Sequence, residues 1–118
     1  MATTTVTLET IPAQVHFRHK KGDDWQPNTI TVTSGGTPID FTGATGTFTL
    51  TNPVKGDVAL TLSGANVTLS SLGVVTLTMS DTQSDALRLG DFQAELKVTL
   101  SGGREWTITK GIFEHTNG

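Results

Sequence analysis

The groups in this 118-residue chain that could do chemistry are three histidines, eleven acidic side chains and a set of hydroxyls, with no cysteine at all. His16 and His19 stand three apart in a segment that alternates apolar and polar residues. In a strand their side chains leave on opposite faces, so they cannot share a metal as an i, i+4 helical pair does. His115 lies near the C-terminus, and all three histidines are expected at the surface. The close acidic pairs are Asp23–Asp24, adjacent in a turn, and Asp81/Asp85, an exposed i, i+4 pair on a short helix where like charges repel mildly. Neither pair faces another carboxylate across a cleft, as glycosidase chemistry requires. No G-x-S-x-G elbow raises a serine nucleophile, and no G-x-x-x-x-G-K-[ST] loop cradles a phosphate. Lys21-Gly22-Asp23-Asp24-Trp25 lacks the alternate oxygen ligands and bidentate Glu of an EF-hand. The missing cysteine excludes a thiol nucleophile, a disulfide scaffold and a zinc-thiolate site. The expectation is a non-enzymatic protein with no catalytic residues, no cofactor and no metal.

The elements that would position these groups are strands. Threonine accounts for 23 residues and glycine for 13, and both disfavour helix. Apolar residues recur with period 2, the mark of a strand with one buried face: Val6/Leu8, Val15/Phe17, Ile30/Val32, Phe48/Leu50, Val58/Leu60/Leu62, Val67/Leu69 and Val75/Leu77/Met79. The longest run is Phe92, Ala94, Leu96, Val98 and Leu100, and Trp106, Ile108 and Ile112 close the series. Turn-forming clusters fall between them, at Ser34-Gly35-Gly36-Thr37-Pro38, Asn52–Asp57, Ser63-Gly64-Ala65-Asn66 and Ser101-Gly102-Gly103. Short strands at such spacing predict an all-β fold, an Ig-like antiparallel β-sandwich of about 7–9 strands closed by a hairpin of 91–100 and 104–113. One helix is predicted near 81–88. Ser80 and Gln83 form a capping box there, Gly90 stops it, and Ala86, Leu87 and Leu89 would seal the core. Residues 1–12 read as an N-terminal arm or extra strand and 13–118 as the sandwich domain.

Phe17, Phe48, Phe92 and Trp106 lie in phase with the buried faces. Trp25 follows a turn and is either a core plug or an exposed stacking surface. Phe113 is out of phase with Trp106, Ile108 and Ile112, whereas Lys110 is in phase. Either a bulge at Gly111 shifts the register, or Phe113 is exposed and marks a contact surface. Phe113 and Trp25 are therefore the candidate interaction residues.

Charged residues make up 16% of the chain and the formal net charge is −3, so no basic field exists to hold a phosphate backbone and nucleic-acid binding is not expected. No apolar run is long enough to span a membrane and no signal peptide is visible, which predicts synthesis in the cytoplasm and no membrane partner.

The run Val15-His16-Phe17 to Lys21-Gly22-Asp23-Asp24-Trp25, the strand at 29–33, the turn Gly35-Gly36-Thr37-Pro38-Ile39-Asp40-Phe41-Thr42-Gly43-Ala44 and the strand at 45–50 resemble a small Ig-like domain of phage tails and baseplates. The pattern is similar to the N-terminal domain of the phage baseplate upper protein over about residues 13–113, most specifically at Thr37–Ala44. The resemblance implies a bacteriophage virion structural protein, a tail, baseplate or fibre-associated module that docks on other virion proteins, as a monomer or a homo-oligomer. It brings no catalytic residues. Two alternatives stand beside it: a capsid decoration protein, and a carbohydrate-binding or adhesin-like module taking a host-surface glycan on exposed aromatics.

Overall fold

The computed structural model describes residues 2–7, 9, 13–20, 28–80, 82–83 and 87–116. Trp25, Asp23, Asp24, Asp81, Asp85 and Ala86, singled out above, lie outside the described residues.

The period-2 segments form ten strands among the described residues: β1 (Ala2–Thr7), β2 (Ala13–Lys20), β3 (Asn28–Ser34), β4 (Thr37–Pro38), β5 (Thr45–Thr51), β6 (Val58–Ser63), β7 (Val67–Leu69), β8 (Val74–Leu77), β9 (Gly90–Thr99) and β10 (Glu105–Thr116). They make two sheets packed face to face, an all-β sandwich. The first sheet runs β1-β3-β8-β7 with the two-residue β4 on the end of β3, and the second runs β2-β10-β9-β5-β6. Pairing is antiparallel except at the N-terminus, where β1 joins β3 and β2 joins β10 in parallel. A parallel pair needs a crossover, and the chain supplies one by passing through β2 in the second sheet between β1 and β3. The wholly antiparallel arrangement expected from the sequence is corrected at these two edges.

Alternation decides which side chains meet between the sheets. In β5 the threonines point out while Gly46, Phe48 and Leu50 are buried. In β9 Phe92, Ala94, Leu96 and Val98 are buried. Phe17 meets Phe48 edge-on at 5.2 Å, and Phe92 lies 6.4 Å from Phe113. Burying each such side chain contributes about 1.5–3 kcal/mol. Gly46 lets the sheets approach: a Cβ there would sit 2.7 Å from Val67 Cγ1.

The connections follow their turn chemistry. Gly35 and Gly36 both have positive φ, +58° and +86°, which forms the two-residue turn between β3 and β4 whose twist suits a hairpin. In Asp40-Phe41-Thr42-Gly43, the Asp40 carboxylate accepts the Thr42 amide and hydroxyl at 2.9 and 2.6 Å. These bonds hold its pKa below the ordinary value of 3.8, and they fix a turn from which Phe41 plugs the core. The Ser80/Gln83 capping box forms with both reciprocal bonds, 2.9 and 3.1 Å. Leu87 is buried as expected. Leu89 instead is 43% exposed and does not seal the core.

The register of β10 against β9 shifts between Thr107 and Thr109. A bulge places two consecutive residues on one side, and here Ile108 and Thr109 are both fully buried. Beyond it the phase is inverted: Phe113 and His115 point inward, while Lys110 and Ile112 point out. Phe113 is therefore 0% exposed and cannot be a contact surface of the folded chain, which corrects the second of the two expectations for it. The shift expected at Gly111 is real but lies upstream, at Thr107–Thr109. Gly111 serves the strand pairing instead, because a Cβ there would run into the Val15 carbonyl of the adjacent β2.

Candidate docking surface

The two sheets each have an inner face in the core and an outer face in solvent, and the outer faces differ in chemistry. On the first sheet the described outer positions are Thr5 and Thr7 on β1, Thr29, Thr31 and Thr33 on β3, Val74 and Thr76 on β8, and Thr68 on β7. They stand in cross-strand rows such as Thr29–Thr76–Thr68 and Thr5–Thr31–Val74. None of these residues is charged.

The outer face of the second sheet has two registers at its centre. One row is His16–Ile112–Gln93–Thr51–Val58 and the next is Gln14–Lys110–Glu95–Thr49–Thr61. Neighbouring strands in such rows are about 4.7–4.9 Å apart. Charge sits on β2, β10 and β9, and hydroxyls on β5 and β6. Glu114 is reached by His16 Nε2 and Arg18 Nε, each at 3.4 Å. Lys97 lies between Glu95 at 3.5 Å and Glu105 at 3.8 Å. These are partly exposed pairs, worth about 0–1 kcal/mol each.

Three shallow recesses run together across this face. The first, about 270 Å³, is lined by Thr49, Thr51, Gln93, Glu95, Lys97 and Lys110. The second, about 230 Å³, shares Gln93 and Lys110 with it and adds Gln14, Gly111 and Ile112. The third, about 190 Å³, continues over β2 past Val15 and His16. Lys110 and Ile112 stand in the middle of this trough. Ile112 is 45% exposed, a large aliphatic side chain turned to solvent from an interior strand of the sheet.

The histidines divide in a way that alternation alone could not show. His16 is exposed beside Glu114. His19 and His115 are buried, which corrects their placement at the surface. They are partners in the β2–β10 register, His19 turned inward by the alternation of β2 and His115 by the phase that the bulge sets in β10, and their rings stack at 5.3 Å and 21°. The His115 Nδ1–H donates to the Arg88 carbonyl at 3.1 Å, which leaves Nε2 buried without a hydrogen bond among the described residues. The Arg88 guanidinium lies 4.5 Å over the Phe92 ring and donates to the Leu89 and Asp91 carbonyls. Among the described residues no three His, Asp or Glu side chains gather as a metal site.

At the opposite corner, Glu9 ties the N-terminal segment to the β3–β4 hairpin. Its carboxylate accepts the Ser34 hydroxyl at 2.8 Å and the Gly35 amide at 3.1 Å. The Ser34 bond first and the Gly35 bond second hold its pKa below the ordinary 4.5.

Neither a known protein family nor a characterised relative matches the chain by sequence. Its fold is similar to that of the N-terminal domain of phage TP901-1 ORF48, with a TM-score of 0.61 at 20% identity, over 98% of this chain and 99% of that one. No helix among the described residues is long and apolar enough to cross a membrane.

Proposed function

We propose that this chain is a non-enzymatic structural protein of a bacteriophage virion, a small tail or baseplate module that acts by docking on other virion proteins. The observation that carries the reading is the match of nearly its whole length to the fold of a phage protein domain. The resemblance of Thr37–Ala44 to tail and baseplate domains points the same way. The finer description as an Ig-like module draws on strand order: β3-β8-β7 facing β10-β9-β5-β6 follows the B-E-D and G-F-C-C′ order of immunoglobulin sandwiches.

A docking role also agrees with what the surface offers. The recesses are open and shallow, and the outer faces carry hydroxyls, surface ion pairs and a few scattered aliphatic residues rather than converging acids and bases. The glycan-binding alternative needs exposed aromatic platforms, and the described phenylalanines are all buried. Mass spectrometry of purified virions tests the reading. The chain is expected as a multi-copy component of the particle, and its absence from virions made by a host that expresses it would refute the role.

A further inference from the structure

We infer that the free edge of β6 is a self-association surface, on which a second copy of this chain lays its own β6 antiparallel, joining the second sheets of the two copies across a two-fold axis. The inference does not rest on the virion role. Among the described residues β6 ends its sheet and pairs only with β5, so its other side presents backbone amides and carbonyls to any strand that can match them. It is also the sheet edge left without a defence. The opposite edge, β2, turns His16, Arg18 and Lys20 outward, and β7 is three residues long. On β1, Val6 is already buried between the exposed Thr5 and Thr7. By contrast β6 reads Val58-Ala59-Leu60-Thr61-Leu62-Ser63, without a charge or a proline. Val58 is 61% exposed, Ala59 is exposed and Leu60 is half-buried.

The occupant follows from the register. Leu60 and Leu62 stand opposite the inward Leu50 and Phe48, and Thr61 and Ser63 opposite the outward Thr49 and Thr47. A joined sheet must set inward side chains against inward ones. With the two-fold at Thr61, Leu60 meets Leu62 of the second copy, Thr61 meets Thr61, and the exposed Ser63 meets the exposed Ala59. An axis at Leu60 sets the inward Leu62 against the outward Val58, and an axis at Leu62 leaves only three residues of each β6 paired. An axis between two residues opposes inward to outward throughout. The strand is thus complementary to itself in one register, which covers Leu60. Charge does not oppose the pairing: no Asp, Glu, Lys, Arg or His occurs from Val58 to Ser80. Asp57, just before the strand, is set about 26 Å from Asp57 of the second copy.

The chain has no cysteine, so a single introduced thiol reports the register in the free protein. Thr61 and Ser63 are exposed, and Thr61→Cys and Ser63→Cys are expected to fold. Facing each other on the axis, two residues 61 have Cα atoms about 4.5–5.5 Å apart, within reach of a disulfide, whereas two residues 63 are separated by roughly 13 Å. Mild oxidation should therefore link Thr61→Cys into a homodimer at least on the order of tenfold faster than Ser63→Cys. Paired edges bury little area, so wild-type protein at roughly millimolar concentration should sediment as monomer in exchange with dimer. Thr61→Lys and Thr61→Glu each set like charges against each other and should weaken the dimer on the order of tenfold. An equimolar mixture of the two should restore it, which unfolded variants would not do. A wild type that stays monomeric, equal linking at 61 and 63, or a mixture no more associated than either variant alone would overturn the inference while leaving the virion role intact. Absence of the chain from virions would overturn that role and leave the inference standing.

Discussion

The outer faces of the two sheets began from the same material and diverged. Both are edged by a parallel N-terminal strand and both carry many threonines, which hold extended backbone on a solvated surface. The first sheet stops there: its described outer positions are threonine and one valine, uncharged and flat in chemistry. The second places paired charges, Lys110 across from Glu95 and an outward isoleucine around a trough. Part of the difference is written in the alternation of β2 and β9, which turns His16, Arg18, Glu95 and Lys97 outward, and part arises at the bulge in β10, which turns Lys110 and Ile112 to water. A neutral threonine lattice offers a partner little to choose by, whereas charge and shape together specify one.

The strongest way to break this contrast is to charge the inward phase of β10. Phe113→Glu would place an unpaired carboxylate in the core, and cooperative unfolding in denaturant is expected to be lost. The next effect separates neighbours on opposite sides of one strand. Phe113→Ala should cost about 3–5 kcal/mol, and Ile112→Ala, on the open side, no more than about 1 kcal/mol in the same urea titration. Similar costs at the two positions would show that the register described for β10 is wrong.

A smaller effect compares the faces directly. Thr31→Lys introduces a charge in the middle of the threonine face and should lower stability by about 0.5–1 kcal/mol while leaving self-association unchanged, whereas Thr61→Lys does the reverse. The smallest effect is at Glu9. Its pKa is depressed in the folded chain by the Ser34 and Gly35 bonds, so the stability it contributes is present above the unfolded value and is lost as the pH falls from about 4.5 through the folded value. Amide exchange in β1 should quicken over that acid range relative to β9. Glu9→Gln should make β1 exchange faster already at neutral pH and remove most of the acid step.

The sandwich was legible because alternation states which face of each strand is buried, and the glycine-rich clusters state where strands end. The motif that carries the likeness to phage domains, Thr37–Ala44, turned out to be architectural: Asp40 closes a turn and Phe41 fills the core. What alternation could not reveal is a change of phase inside a strand. Phe113 marked the irregularity, but a period-2 pattern with one extra residue does not say where the extra residue sits, and Gly111 drew attention away from Thr107–Thr109. The stacked burial of His19 and His115 depends on the parallel pairing of β2 with β10, a contact between distant segments with no local signature. The outward turn of Lys110 and Ile112 was equally hidden, since both read as inward until the bulge is located.

A density map of the virion, resolved well enough to place this sandwich, tests the central claim most directly. The account predicts copies of this chain joined in pairs, β6 against β6 across a two-fold axis at Thr61. A particle in which β6 lies open, or is paired with a different polypeptide, would contradict it.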